Sequence, residues 1–324
     1  MVNTVNNSID GVTIANPIYD TVFKHLMENR RIAKFFVETL IGDQVDDIAI
    51  VPQEYTYKRV RTKKVKKVET IDVAEEKEEV LSIIRFDFVA TIRTADGKLK
   101  KVLIEIQKSR KPTDLIRFRS YLGEQYKRAD VINTANGEIE KSLPIICIYL
   151  LGFTLHEIKA TAIKVNRTYL DMIGQTEIKQ KSEWIESLTH DGYFVQIPLV
   201  KGKPRTSLEK LLSVFEQHFF IDDKETTKDY EYPVDDENIQ MIIDVLRHAA
   251  ADAKARREME EAWWADQNEK EYERMEKEYE RMRKEIEAKS QIIAEKDKSL
   301  AEKDKSLAEK DREIAELKRL TVLP

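Results

Sequence analysis

Two consecutive segments, 81–94 (LSIIRFDFVATIRT) and 98–107 (KLKKVLIEIQ), alternate apolar and polar residues on either side of Ala95-Asp96-Gly97. A period of two is that of strands with one buried face. A three-residue link ending in Gly suits a hairpin built from a type I turn and a left-handed residue. Gly97 accepts positive φ because it has no Cβ. This link sets Thr94 opposite Lys98, and the pairing then counts back to Val89–Leu103, Asp87–Glu105 and Arg85–Gln107. Ile84, Phe86, Phe88, Ala90 and Ile92 face Val102, Ile104 and Ile106, so one side is all hydrocarbon. The other side carries Asp87 and Glu105 with Cβ atoms ~5 Å apart. A two-residue turn would slip the register and put Glu105 opposite Phe88, mixing charge into the apolar side, and is rejected. Carboxylates placed directly opposite each other repel, and a divalent metal between them relieves this most simply.

The elements around the hairpin follow from local signals. Asn16-Pro17 reads as an N-cap and first helical residue. Ile18, Phe23, Leu26, Met27, Phe35, Phe36 and Leu40 supply one broad apolar helix face, ended by Gly42. A strand is expected near 47–52. Residues 53–80 form a basic stretch and then an acidic one, whose structure the pattern does not specify. A helix is expected from Pro112 to about Asp130, followed by a strand over 143–151 that is apolar throughout and so buried on both faces. A strand, a helix and a buried strand imply a right-handed parallel crossover. The expected class is α/β, with a mixed β-sheet flanked by helices. Beyond it, a helix from Ser182, a strand over 193–199, a helix over 207–219 and an acidic linker over 221–233 are expected.

From about Asp236 the chain reads as helix nearly to its end. Charged residues make up 35% of the chain, above the ~25% typical of globular proteins, which itself points to a long solvated helix. Tyr272, Tyr279, Ile286, Ile293, Leu300, Leu307 and Ile314 recur every seven residues, in a near-verbatim unit such as SLAEKDK. Such heptads indicate a left-handed coiled coil. The companion positions run Met275, Met282, Lys289, Lys296, Lys303, Lys310 and Leu317, so the pairing is expected to be weak, a loose homo-oligomer. The expected organisation is a domain over 1–235, with its core at 16–153, and a C-terminal helical extension over 236–324 with its coiled coil from about 271.

The spacing Asp87–x17–Glu105-Ile106-Gln107 carries the chemistry. Hydrolysis of a phosphodiester is served by a metal that supplies hydroxide at neutral pH and offsets charge at phosphorus. Mg²⁺ is commonly held by one or two carboxylates plus waters and phosphate oxygens. Asp87 and Glu105 are that pair, the Ile106 carbonyl is a further donor, and Gln107 shares their face. Asp20 and Lys24, spaced i,i+4, can complete the site from the first helix. Candidates for nucleic-acid contact are Asp20, Arg85, Lys108, Arg117, Arg119 and Tyr121. Lys and Arg gather in 51–150 on both sides of the hairpin although the net charge is −5. Such local positive potential suits a polyanionic substrate.

The segments YDTVFKHLM, RFDFVAT, ADGK, IEIQ, IRFRSYLGEQY and LPIICIYLLGF, in this order, resemble the PD-(D/E)xK nuclease superfamily. They are most similar to its transposase-like branch, the recombination-promoting nucleases. The resemblance spans about 16–153. It implies a restriction-endonuclease-like core with the element order derived above, Asp87 and Glu105 as ligands of Mg²⁺ or Mn²⁺, and DNA as partner. In this branch E-x-Q is the usual form where most of the superfamily has Lys in place of Gln107. Gln brings no positive charge to an attacking water, so Lys24 is assigned that part; Lys108 should point to the opposite face. The chain departs from the superfamily pattern in having no Pro directly before Asp87.

Other chemistries find no support. The five histidines lack metal-ligand spacing, and there is no CxxC, Walker loop or Gly-rich dinucleotide turn. The single Cys147 excludes a disulfide framework. The first residues lack the features of a signal peptide, and no apolar run is long enough for a bilayer, so a cytoplasmic chain without membrane contact is expected. The expectation is a Mg²⁺-dependent DNA endonuclease in a recombination, mobile-element or defence setting. The alternative is a catalytically decayed nuclease fold that binds DNA or scaffolds partners through its coiled coil.

Overall fold

The computed structural model describes residues 11–50, 55–66, 73–84, 87–108, 114–134 and 136–320. The N-terminal half contains β1 (Val12–Ala15), α1 (Asp20–Glu28), α2 (Arg30–Ile41), β2 (Val45–Ile50), β3 (Tyr55–Lys66), β4 (Val73–Ile84), β5 (Phe88–Thr94), β6 (Leu99–Gln107) and α3 (Asp114–Tyr126). Then come β7 (Asp130–Thr134), β8 (Gly137–Lys141), β9 (Ile145–Leu151), β10 (Ala162–Val165), β11 (Tyr169–Asp171), β12 (Thr176–Ile178), α4 (Glu183–Ser187) and β13 (His190–Gln196). The chain closes with α5 (Ser207–Ser213), β14 (Thr227–Tyr230), α6 (Glu237–Ala251) and α7 (Ala253–Leu320).

A six-stranded mixed sheet has the order β10-β13-β9-β6-β5-β2. β6, β9 and β13 run parallel, with α3 lying between β6 and β9 in the chain as the crossover pattern requires. β5 pairs antiparallel with β6 in the expected register, Phe88 opposite Ile104 and Val89 opposite Leu103. Gly97 has φ of 78° and its N–H returns to the Thr94 carbonyl, closing the predicted turn. β9 is buried at every position, as an all-apolar central strand must be.

Both faces of the sheet are covered. Ala90, Ile92, Val102 and Ile104 are buried on one, and Val89, Leu103, Cys147 and Tyr149 on the other. Phe118, Tyr121 and Leu122 of α3 pack on the second face, so the hairpin's polar side is not open to solvent. Lys101 is buried there because it pairs with Asp130 and donates to Gln125.

Several expectations are corrected. The first helix is two: α1 ends at Asn29, whose side chain accepts from Arg31 and Ile32 and starts α2. Asn16 does not cap a helix; it is fully buried and exchanges amide hydrogen bonds with Gln217. Residues 81–84 belong to β4 and not to β5. The basic strand β3 pairs antiparallel with the acidic strand β4, with Arg61 at the register position of Glu78 and Lys63 at that of Glu76. The stretch expected as a linker contains β14, which pairs with β1. The predicted helix over 207–219 ends at Ser213, and the strand placed at 193–199 is β13, ending at Gln196.

The boundary near 235 also moves. The first compact unit runs to Glu261, because α6 buries Ile239, Ile242, Ile243 and Leu246. The predicted continuous helix breaks at Asp252, whose carboxylate accepts from Ala255 to begin α7. The second unit, Ala262–Pro324, is described only by α7. Among the described residues no helix is long and apolar enough to cross a membrane.

Candidate active site at the carboxyl ends of β6 and β9

The polar end of the hairpin meets α1 and α3. Asp87 sits in a bend directly before β5, where the antiparallel ladder stops. Its Oδ2 accepts from the Ile106 N–H at 2.5 Å, so a carboxylate replaces the missing strand partner. Glu105, 4% exposed, and Gln107, 6% exposed, project from the last residues of β6. The end of β6 is held by Gly152, whose N–H donates to the Gln107 carbonyl at 2.7 Å. A Cβ at Gly152 would lie 2.1 Å from the Lys108 carbonyl oxygen, so no other residue fits this approach. Sequence reasoning missed Gly152, since a single Gly after a buried strand carries no distinguishing signal.

Asp20, the first residue of α1, lies near enough to Asp87 for its charge to act on that carboxyl. Its other contact is Lys24, with Nζ 2.6 Å from Asp20 Oδ2. From α3, Arg117 Nη2 lies 3.3 Å from Glu105 Oε1 and also bonds Gln107 Oε1. Lys24 with Asp20, and Arg117 with Glu105 and Gln107, thus flank Asp87, on whose carboxyl the charges of Glu105 and Asp20 both act. The electrostatics are those of crowded acids. Burial, then the charge of Glu105, then the charge and hydrogen bond of Asp20 push the Asp87 carboxyl well above the usual carboxylate range, against the opposing Ile106 N–H.

The remaining predicted residues fall elsewhere. Lys108 points to the opposite face, as alternation requires; its Nζ donates to Tyr19 Oη at 2.9 Å and lies 4.3 Å from that ring's centroid. It therefore braces the start of α1. Tyr121 is half-buried, and its ring centroid lies 5.9 Å from the Arg117 guanidinium carbon. Arg119 is exposed on α3, with no bond into the cluster among the described residues. Arg85 lies outside the described residues.

Among the described residues no group of three His, Cys, Asp or Glu side chains is arranged as a ready metal cage. The donor set nonetheless suits a hard divalent ion. It offers carboxylate oxygens from Asp87 and Glu105, and Mg²⁺ needs only one or two of these. The crowding that raises the Asp87 carboxyl is also what a cation beside it would relieve.

Comparisons with models of known protein families, with curated proteins and with solved structures returned no match. The class that stands is therefore architectural: an α/β protein with a mixed six-stranded sheet flanked by helices, and a long C-terminal helix.

Proposed function

We propose that this chain is a Mg²⁺- or Mn²⁺-dependent DNA endonuclease with a restriction-endonuclease-like core of the PD-(D/E)xK type, serving recombination, mobile-element biology or defence in the cytoplasm. The observation that carries this reading is the placement of two acids at the carboxyl end of β6: buried Glu105, bound by Arg117, and Asp87, whose carboxylate accepts from the Ile106 N–H. Open α/β sheets place their sites at such strand ends. Asp87 and Glu105 would hold the ion. When bound, it supplies Lewis-acid stabilisation of charge on the phosphate and a source of hydroxide at neutral pH. Gln107 shares the face of Glu105 and would orient the attacking water through its amide. Lys24 brings positive charge to the cluster through Asp20. Arg117 enters from α3 with a guanidinium fork suited to phosphate.

Plasmid nicking tests the reading. Supercoiled DNA should be cut in Mg²⁺, and Asp87→Ala and Glu105→Ala should abolish cutting. Equal cutting by both variants would overturn the site assignment. The decayed-nuclease alternative predicts DNA binding that is indifferent to Mg²⁺ and unchanged in Asp87→Ala.

The long helix supports a second part of the proposal, self-association. Tyr272, Ile286, Ile293, Leu300 and Leu307 are each more than half exposed along α7. In a parallel pair, the companion Lys296, Lys303 and Lys310 of one copy would stand beside Asp297, Asp304 and Asp311 of the other, which offsets the cost of Lys at a core position.

A further inference from the structure

We propose that Arg117 stands in for the metal ion: its guanidinium holds Glu105 and Gln107 while the ion is absent and is released to a substrate phosphate when the ion binds. The inference rests on the nuclease reading and adds an exchange step to it. One guanidinium nitrogen spans both polar residues of the E-x-Q segment, at 3.3 Å from Glu105 Oε1 and in a bond with Gln107 Oε1. The Glu105 side chain is 5% exposed and the Arg117 side chain 33%, so Arg117 reaches inward from the surface to neutralise a buried acid. An ion bound at Glu105 would draw on the same carboxylate, and two cations on one carboxylate repel.

Arg117 also has somewhere to go. Its guanidinium carbon already lies 5.2 Å from the Phe118 ring centroid and 5.9 Å from that of Tyr121, within the range in which an aromatic face attracts a cation. Moved there, the fork suits the bidentate recognition of phosphate at which Arg excels. Lys24 makes the corresponding bond to Asp20. It does not touch the E-x-Q segment, so the exchange is assigned to Arg117 alone.

Calorimetric titration of the full chain with Mn²⁺ tests this without reference to cutting. Arg117→Gln should bind Mn²⁺ about tenfold more tightly than the parent, the factor lost with one charge-assisted bond. Arg117→Lys, which keeps the charge without the fork, should fall between them and guards against a folding defect in the first variant. Asp87→Asn should abolish the site's Mn²⁺ binding. With Ca²⁺ in place of Mg²⁺, Arg117→Gln should also bind duplex DNA more weakly, with a salt slope lower by about one. Mn²⁺ affinity in Arg117→Gln equal to or weaker than the parent's, with Asp87→Asn still abolishing binding, would overturn the exchange alone. Mn²⁺ binding unchanged in Asp87→Asn would overturn the nuclease site and the exchange with it.

Discussion

Asp87→Asn should make the metal-free protein more stable. The substitution removes a charge and keeps the shape, and the Asn carbonyl can still accept from Ile106 N–H, now bonded at 2.5 Å. Two unit charges about 5 Å apart repel by about 3 kcal/mol at an effective dielectric of about 20. The raised pKa of Asp87 relieves part of this, so the expected gain is about 1–2 kcal/mol. The sign with pH follows from linkage. An acid whose folded pKa is raised binds its proton more tightly folded than unfolded. Its cost to stability is therefore absent below the unfolded value of about 3.9 and grows as pH climbs through the folded pKa. Thermal unfolding followed by circular dichroism should show the two proteins melting together near pH 4 and Asp87→Asn melting about 3–6 °C higher near pH 8, both in EDTA. Millimolar Mg²⁺ should raise the melting point of the parent and leave the variant nearly unmoved. A variant that melts lower at every pH, or equal stabilisation of both proteins by Mg²⁺, would refute the reasoning, because Asp87 would then be a structural acceptor and nothing more.

Lys228 is 2% exposed, and burial pushes its ammonium down to about 7, with the charge of Glu216 opposing. Its folded pKa lies below the unfolded value of about 10.4, so parent stability should rise by about 1.4 kcal/mol per pH unit between those values and stay flat below 7. Urea denaturation of Lys228→Met should lack this rise, and parallel pH profiles would exclude the assignment. Gly152→Ala should cost about 2–3 kcal/mol in the same assay, because its Cβ would collide with the Lys108 carbonyl oxygen at 2.1 Å; a cost below about 0.5 kcal/mol would show that β9 and β6 can part freely. Sedimentation equilibrium of the full chain should show dimers that weaken in high salt, as the Lys–Asp pairs of α7 require. A monomer at every salt concentration would rule out pairing through this helix.

Much of the hairpin was legible because its signals are local. Alternation set which residues share a face, and the Ala95-Asp96-Gly97 link set the register that pairs Phe88 with Ile104 and Val89 with Leu103, with Asp87 in the bend just beyond the ladder. The apolar run at Ile145–Leu151 announced a central strand in the same way. The misreadings came where tertiary packing outweighs local pattern. Asn16-Pro17 has the form of a helix start, yet the buried amide exchange with Gln217 claims Asn16 for the core. The acidic stretch around Asp222 has the composition of a linker, yet its carboxylate gathers Lys224, Thr226 and Thr227 into a turn that leads to β14.

The sequence alone determined the turn and register of the hairpin and the heptad of the long helix, since each depends on spacing along one or two adjacent segments. Only the tertiary structure decided that Arg117 closes over Glu105 and Gln107, that Asp20 of α1 comes near Asp87, and that α6 belongs to the compact unit. Those residues come from helices and strands distant in the chain, and only the packing of α1 and α3 around the sheet brings them together.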